Sequence, residues 1–251
     1  MSSNDSLSGV QVFDDAEQVA RATADLFVRL SDEAVAERGT FSVALSGGTT
    51  PKRIYELLAG DEYRARVNWA NVHIFFGDER TVPPDHADSN YRMANEAMLS
   101  HVPVPAENVH RIDGVGDAAA NASRYESEMR GYFGGGAEWP RLDLVMLGMG
   151  DDGHTASLFP GSAALSEERA WVAANWVEKF NTWRITLSAP AINNARHVVF
   201  LITGAGKADR LHEVLKGERD TTRLPSQMIQ PRDGTLAWFV DRAAAAKLGD
   251  A

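Results

Sequence analysis

The chain contains no cysteine, which excludes disulfides, thiolate metal ligands and a cysteine nucleophile, and fits a reducing compartment. It has no surplus of positive charge. There are 25 Lys and Arg against 35 Asp and Glu, a formal net charge of -10, and the acidic residues are spread along the chain rather than gathered in a tail. That balance argues against binding nucleic-acid backbone or an anionic membrane surface, so an anionic substrate must be captured locally. No apolar run approaches bilayer-spanning length, and the N-terminal MSSNDSLSGVQVFDD lacks the basic and apolar regions of a secretory signal. A soluble cytoplasmic protein is the expectation. Several catalytic signatures are also missing. There is no GxxxxGK[ST] nucleotide loop, no HExxH or HxxxH metal pair, and no GxSxG nucleophile elbow, since Ala44 stands where that elbow needs glycine.

What is present is 251 residues, 44% of them hydrophobic, enough to bury a sizeable core. Apolar positions at helical spacing predict a helix over 16–35, stopped by Gly39 before the β-rich run 41–46. Further helices are expected over 51–58, 90–99, 118–133 and 207–215. Strands are expected over 72–79, 108–112, 142–147, 185–187, 197–203 and 236–240. This alternation predicts an α/β fold, a mostly parallel sheet with helices on both faces. Residues 1–251 read as a single domain, with the Gly- and Pro-containing segment 134–140 as a candidate joint or long loop.

Three strand ends carry candidate chemistry, because open parallel sheets bind ligands where strands end at the carboxyl side. In the first, Ser46-Gly47-Gly48-Thr49-Thr50-Pro51, glycines admit backbone N–H groups to an anion and hydroxyls add donors. A tight turn capped by Thr50 explains the same residues. In the second, Gly77-Asp78-Glu79-Arg80, Arg80 offers a planar fork for phosphate or carboxylate and Asp78 a hold on a proton or sugar hydroxyl. An exposed strand end is the plainer alternative. In the third, Thr203-Gly204-Ala205-Gly206-Lys207, an ammonium at a helix start either completes a phosphate site or is a surface lysine at a turn.

The segment LDLVMLGMGDDGHTASLFP (142–160) contains GMGDDG, which satisfies the GxGxxG pattern of a dinucleotide loop. That fingerprint must lead into a long helix, and Phe159-Pro160-Gly161 closes the helix off. A glycine-rich turn remains, presenting Asp151, Asp152, His154, Thr155 and Ser157 for proton transfer or metal binding. Histidine is the natural acid and base near neutrality, and a metal site would want a second imidazole.

Taken together, LSGGTTP (45–51), GDER with SNY (77–80, 89–91), LGMGDDGHTASLFPGS (147–162), RITLSAPAINNARHVVFLITGAGKA (184–208) and LPSQMI (224–229) resemble the 6-phosphogluconolactonases of the glucosamine-6-phosphate isomerase/deaminase-like superfamily. The resemblance spans nearly the whole chain. It implies a Rossmann-like α/β fold, no cofactor and no metal, a monomer, and hydrolysis of 6-phospho-D-glucono-1,5-lactone to 6-phosphogluconate in the pentose phosphate pathway. It further implies that His154 is the catalytic base with Asp152 as supporting acid. Ser46, Gly47, Gly48, Thr49, Arg80 and Lys207 would hold the phosphate and sugar hydroxyls, with Asp78 and Arg184 as further substrate-binding candidates.

Two other readings stand beside this one. Amino-sugar phosphate isomerases and deaminases resemble the chain in the DGH loop, but carry a glutamate in a DGHIAFNEP-like segment where this chain has Phe159. They also tend to place an aromatic residue where Arg80 stands. A non-catalytic sugar-phosphate sensor would require an attached DNA-binding module, for which the acidic leader and single helix before Phe41 leave no room.

Overall fold

A computed structural model describes residues 9–249 of the chain. The first residues of the acidic leader, 1–8, lie outside it. Nine strands are described: β1 (Gly9–Phe13), β2 (Phe41–Leu45), β3 (Val72–Phe76), β4 (Asp78–Arg80), β5 (Leu144–Leu147), β6 (Val172–Val177), β7 (Thr182–Leu187), β8 (His197–Ile202) and β9 (Thr235–Asp241). The α-helices are α1 (Ala16–Arg38), α2 (Thr49–Ala59), α3 (Asp61–Arg64), α4 (Asn90–Ala94), α5 (Ala118–Phe133), α6 (Ala189–Asn193), α7 (Ala208–Lys216) and α8 (Arg242–Ala245).

Six strands form one parallel sheet in the order β1-β9-β8-β5-β2-β3, with helices packed around it. Its central strands are continuous apolar runs because both faces are covered. Every residue of β2 and β5 is buried, and β8 is open only at His197. Helix α1 begins where the Asp15 carboxylate accepts from Gln18 N at 2.8 Å, and it ends at Gly39, whose φ of 83° gives the left-handed stop.

The chain runs from β2 outward to β3 and then returns to the other side of β2 for β5. The strand order therefore reverses between β2 and β5. At such a switch point the connections leave in opposite directions and open a crevice at the carboxyl ends of the strands. A second sheet, antiparallel in the order β4-β7-β6, hangs over this end. Gly77 joins the two sheets, donating to Leu45 O at 2.8 Å and accepting from Leu187 N at 2.8 Å.

Some elements differ from the sequence expectation. The strand expected over 108–112 is a short 3-10 turn (Ala106–Asn108) followed by one bridge, Val109 to Ile74. Pro103 and Pro105 withhold ladder donors just before it, and only the outermost strand is there to pair with. The strand expected over 185–187 belongs to the antiparallel sheet and starts at Thr182. β1 and β6 were not expected. β1 is a half-exposed edge strand, and β6 has Ala173, Ala174 and Asn175 interrupting its strand-forming Val and Trp residues, so its pairing with β7 and the buried Asn175 hold it.

Candidate active site

A cavity of about 280 Å³ sits in the crevice predicted by the switch point. Its wall combines the ends of β2 (Ser46, Gly47, Gly48), of β3 through β4 (Asp78, Arg80) and of β5 (Gly148 to Gly150, His154), with Phe180 and Arg184 from the β6–β7 hairpin. Of the ten residues singled out for the site in the sequence, seven therefore share one cavity: Ser46, Gly47, Gly48, Asp78, Arg80, His154 and Arg184. Asp152 stands directly behind His154. Thr49 is the first residue of α2, and its side chain is not on the cavity wall. Lys207 is also off the wall, its ammonium 2.5 Å from the Asp151 carboxylate.

The loop after β5 is built to present His154. Its Nδ1 lies 2.5 Å from Asp152 Oδ1, which leaves Nε2 as the nitrogen available to exchange protons in the cavity. Lys179 Nζ reaches the other oxygen of Asp152 at 2.9 Å. Burial works to raise the Asp152 pKa, yet the bonds from His154 and Lys179 outweigh it and hold the carboxyl well below the usual range. One face of the imidazole stacks on Phe159 at 4.0 Å between centroids. Gly150 is required because a Cβ there would overlap the His154 ring, and its N–H donates to His154 O at 2.9 Å. Gly153 adopts φ 83°, a left-handed conformation suited to glycine. No long helix follows. The chain instead turns through Phe159 and Pro160 to a short 3-10 segment at Ala163–Ser166, so the glycines of GMGDDG serve the histidine and the turn.

Ala156 has φ 47°, a strained value for a residue with a side chain. Its neighbour holds it there. Ser157 N donates to Thr186 Oγ1 (3.1 Å), Ser157 O accepts from Asn175 Nδ2 (2.8 Å), and Ser157 Oγ donates to Asp78 Oδ2 (2.6 Å). Asp78 is thereby a buried acceptor joining the β3 and β5 loops, with Asn90 Nδ2 on its backbone oxygen at 2.9 Å.

The other acid of the pair, Glu79, is 2% exposed. It accepts from Arg80 N, Ser89 Oγ, Asn90 N and Tyr91 N at 2.7–3.0 Å, fixing the GDER block to the start of α4. Burial raises its pKa against the pull of those bonds.

Cationic capture groups face this frame. Arg80 and Arg184 are paired residues in the β4–β7 register and both line the cavity, with an Arg80 Nη1 bond to Asp88 O. Burial first, and then Arg80, lower the Arg184 pKa, and its guanidinium lies 5.7 Å from the Phe180 ring. Gly48 occupies the N-cap of α2 without any side-chain cap bond, leaving backbone N–H groups to the cavity; Thr50, the alternative cap, bonds Thr203 Oγ1 at 2.7 Å instead. Ser46 Oγ is buried and has no hydrogen-bond partner among the described residues. Together these form a local anion cradle in an acidic protein. Among the described residues no group of three or more His, Asp or Glu side chains is placed to hold a metal ion, and no helix is long and apolar enough to cross a membrane.

The family model for glucosamine-6-phosphate isomerases/6-phosphogluconolactonase matches residues 14–238. The chain belongs to that family. It is 41% identical over 242 residues to the 6-phosphogluconolactonase of Nostoc sp., covering 95% of this chain and 98% of the relative. It is 40% identical over 246 residues to a probable chloroplastic 6-phosphogluconolactonase 3 of Oryza sativa subsp. indica, covering 94% and 75%. The solved structure of 6-phosphogluconolactonase from Trypanosoma cruzi superposes with a TM-score of 0.83 at 31% identity, covering 97% of each chain. The family membership accounts for the α/β architecture.

Asn90 and Phe180 also line the cavity, and neither is among the residues singled out from the sequence. Asn90 was within reach, since SNY was among the motifs that carried the resemblance. Lys179, Phe180 and Asn175 sit on a hairpin whose sequence gives no sign of approaching the DGH loop.

Proposed function

We propose that this protein hydrolyses 6-phospho-D-glucono-1,5-lactone to 6-phospho-D-gluconate in the oxidative pentose phosphate pathway, with His154 as general base. The observation that carries this reading is the His154–Asp152 pair, 2.5 Å apart, on a cavity whose wall also holds Ser46, Arg80 and Arg184. The names of the Nostoc, Oryza and Trypanosoma relatives support the substrate.

In this reading the phosphate lies against the α2 N-terminus and the Ser46 hydroxyl, with Arg184 closing on it. His154 Nε2 takes a proton from water as the water oxygen attacks the lactone carbonyl carbon. Asp152 holds the opposite nitrogen and steadies the imidazolium that forms. The oxyanion is stabilised by Arg80 or a loop N–H. Collapse then breaks the bond from the carbonyl carbon to the ring oxygen, and the imidazolium returns its proton to that oxygen. One group serves both transfers, and water is the only co-reactant. Neither cofactor nor metal enters, and we read residues 1–251 as a single catalytic domain acting as a cytoplasmic monomer. Phe159, stacked on His154, stands where an isomerase or deaminase would carry its glutamate, so no release of ammonia from glucosamine 6-phosphate is expected.

The test is acid release from freshly prepared lactone, measured against spontaneous hydrolysis. The wild type should accelerate it, and His154→Ala should lose about 10²–10⁴-fold in kcat. A wild-type protein no faster than buffer would defeat the activity, and a fully active His154→Ala would defeat the mechanism.

A further inference from the structure

The β6–β7 turn reaches the catalytic loop at two consecutive residues. A 3-10 turn at Glu178–Phe180 is closed by Asn181 in a left-handed conformation, φ 48°. Lys179 points one way, to Asp152 Oδ2 at 2.9 Å. Phe180 points the other, its ring edge-on to Phe159 with centroids 5.7 Å apart, and Phe159 in turn lies on the face of His154. The imidazole is thus held through its Nδ1 partner and through its stacking partner by one short turn from a different sheet.

We infer that Lys179 is a positioning residue, the outer member of a Lys179–Asp152–His154 chain through which the β6–β7 turn sets the orientation and proton affinity of the imidazole. The inference rests on the reading of His154 as general base. Without Lys179 only one oxygen of Asp152 is held, by the His154 backbone N–H at 3.2 Å and by Nδ1, whereas bonds at both oxygens fix the plane of the carboxylate that Nδ1 meets. Lys179 is more than half exposed and Asp152 is 25% exposed, so the pair contributes little to global stability. Its effect falls on the imidazole. The Lys179 cation opposes a second positive charge on His154 and draws charge from the Asp152 acceptor, and both effects disfavour the imidazolium. Removing the cation should therefore make His154 easier to protonate.

Other charges face the same group. Asp151 and its partner Lys207 flank Asp152, with Arg210 on the Asp151 backbone oxygen at 2.8 Å. Glu178 precedes Lys179 on the turn, while Asp78, Arg80 and Arg184 face His154 across the cavity. All of them remain in place when Lys179 alone is replaced, so a shift in that variant reports Lys179.

Two readouts test the inference. The His154 imidazole is titrated by NMR in substrate-free protein, assigned by the signal lost in His154→Ala, and the pH profile of kcat is recorded alongside. In Lys179→Met both should move upward by about half to one pH unit. On the acid side kcat should fall about three- to tenfold, with KM within about twofold of wild type. Lys179→Arg should restore both curves. Rising ionic strength, which screens an exposed ammonium, should narrow the gap between the wild-type and Lys179→Met titrations. Superimposable titrations of wild type and Lys179→Met, or a Lys179→Arg protein that behaves like Lys179→Met, would overturn the inference. A wild-type protein inactive on the lactone would overturn the proposed reaction instead, and the imidazole titration would still decide whether Lys179 acts on His154.

Discussion

The imidazole of His154 has its freedom removed by chemically different neighbours: a carboxylate at Nδ1, an aromatic ring on its face, and the absent side chain of Gly150. None of these is the reacting group, yet each sets where that group points. The same holds for the binding side. Arg184 is a half-buried guanidinium next to Arg80; burial and that like charge disfavour its cation, and the nearby Asp78, Asp88 and Glu79 offset them only in part. Arg184→Met should lower kcat/KM for the phosphorylated lactone about 10- to 100-fold, the loss of a charged hydrogen bond worth roughly 1.5–3 kcal/mol. Arg184→Lys should recover only part, because an ammonium cannot reproduce the planar fork. The identity of Arg184 as a candidate was readable from the RITLS motif. Its partnership with Arg80 was not, since the two residues lie in separate motifs and meet only through strand register.

At the scale of elements, the loop after β5 shows how a sequence pattern can be right about glycine and wrong about its purpose. GMGDDG satisfies a dinucleotide regex, and no long helix follows to support a pyrophosphate. Gly150 gives room to a ring four residues later. Gly150→Ala should therefore fold, because that position does not demand a left-handed backbone, while displacing His154 and costing nearly as much activity as His154→Ala. Near-native circular dichroism with a kcat reduced by at least about 10²-fold is the expected pair of results. The second element to consider is the helix entry at Asp15. Asp15→Ala removes the bond to Gln18 N and should cost about 1 kcal/mol of stability in urea unfolding, with no change in kcat. The cap lies outside the periodicity that marks the helix from Ala16, although an acid three residues before a glutamine is a start signal carried by the sequence. The β6–β7 hairpin was only half legible. Thr182 to Leu187 has strand character, but Val172 to Val177 is a strand through its six-residue ladder with β7, anchored by the buried Asn175 side chain on Ser157 O and Ser162 Oγ.

At the scale of the whole molecule, two histidines away from the site shape the response to pH. His73 and His197 both have pKa values pushed below the ordinary 6.5, by burial first, then by His110 in the one case and Arg29 in the other. The folded protein resists protonating them and the unfolded chain does not. Their contribution is thus fully present above pH 6.5 and is lost as pH falls through that value toward the lower folded pKa values. Thermal midpoints should decline between about pH 7 and pH 5.5, and the double variant His73→Asn, His197→Asn should show a flatter decline even if it starts lower. An unchanged slope would count against burial as the cause. The alternation of helix and strand, the continuous apolar runs of a covered parallel sheet, and the short motifs at the ends of β2, β3 and β5 are all written along the chain. Those are local properties, set by periodicity, capping and turn chemistry within a few residues. The reversal of strand order between β2 and β5, the opening of three strand ends onto one cavity, and the antiparallel hairpin that brings Phe180 and Arg184 to its wall and Lys179 to Asp152 appear only once the chain is folded. Such juxtapositions arise from sheet order and strand register, which depend on contacts between segments far apart in the chain, and no window of residues encodes them on its own.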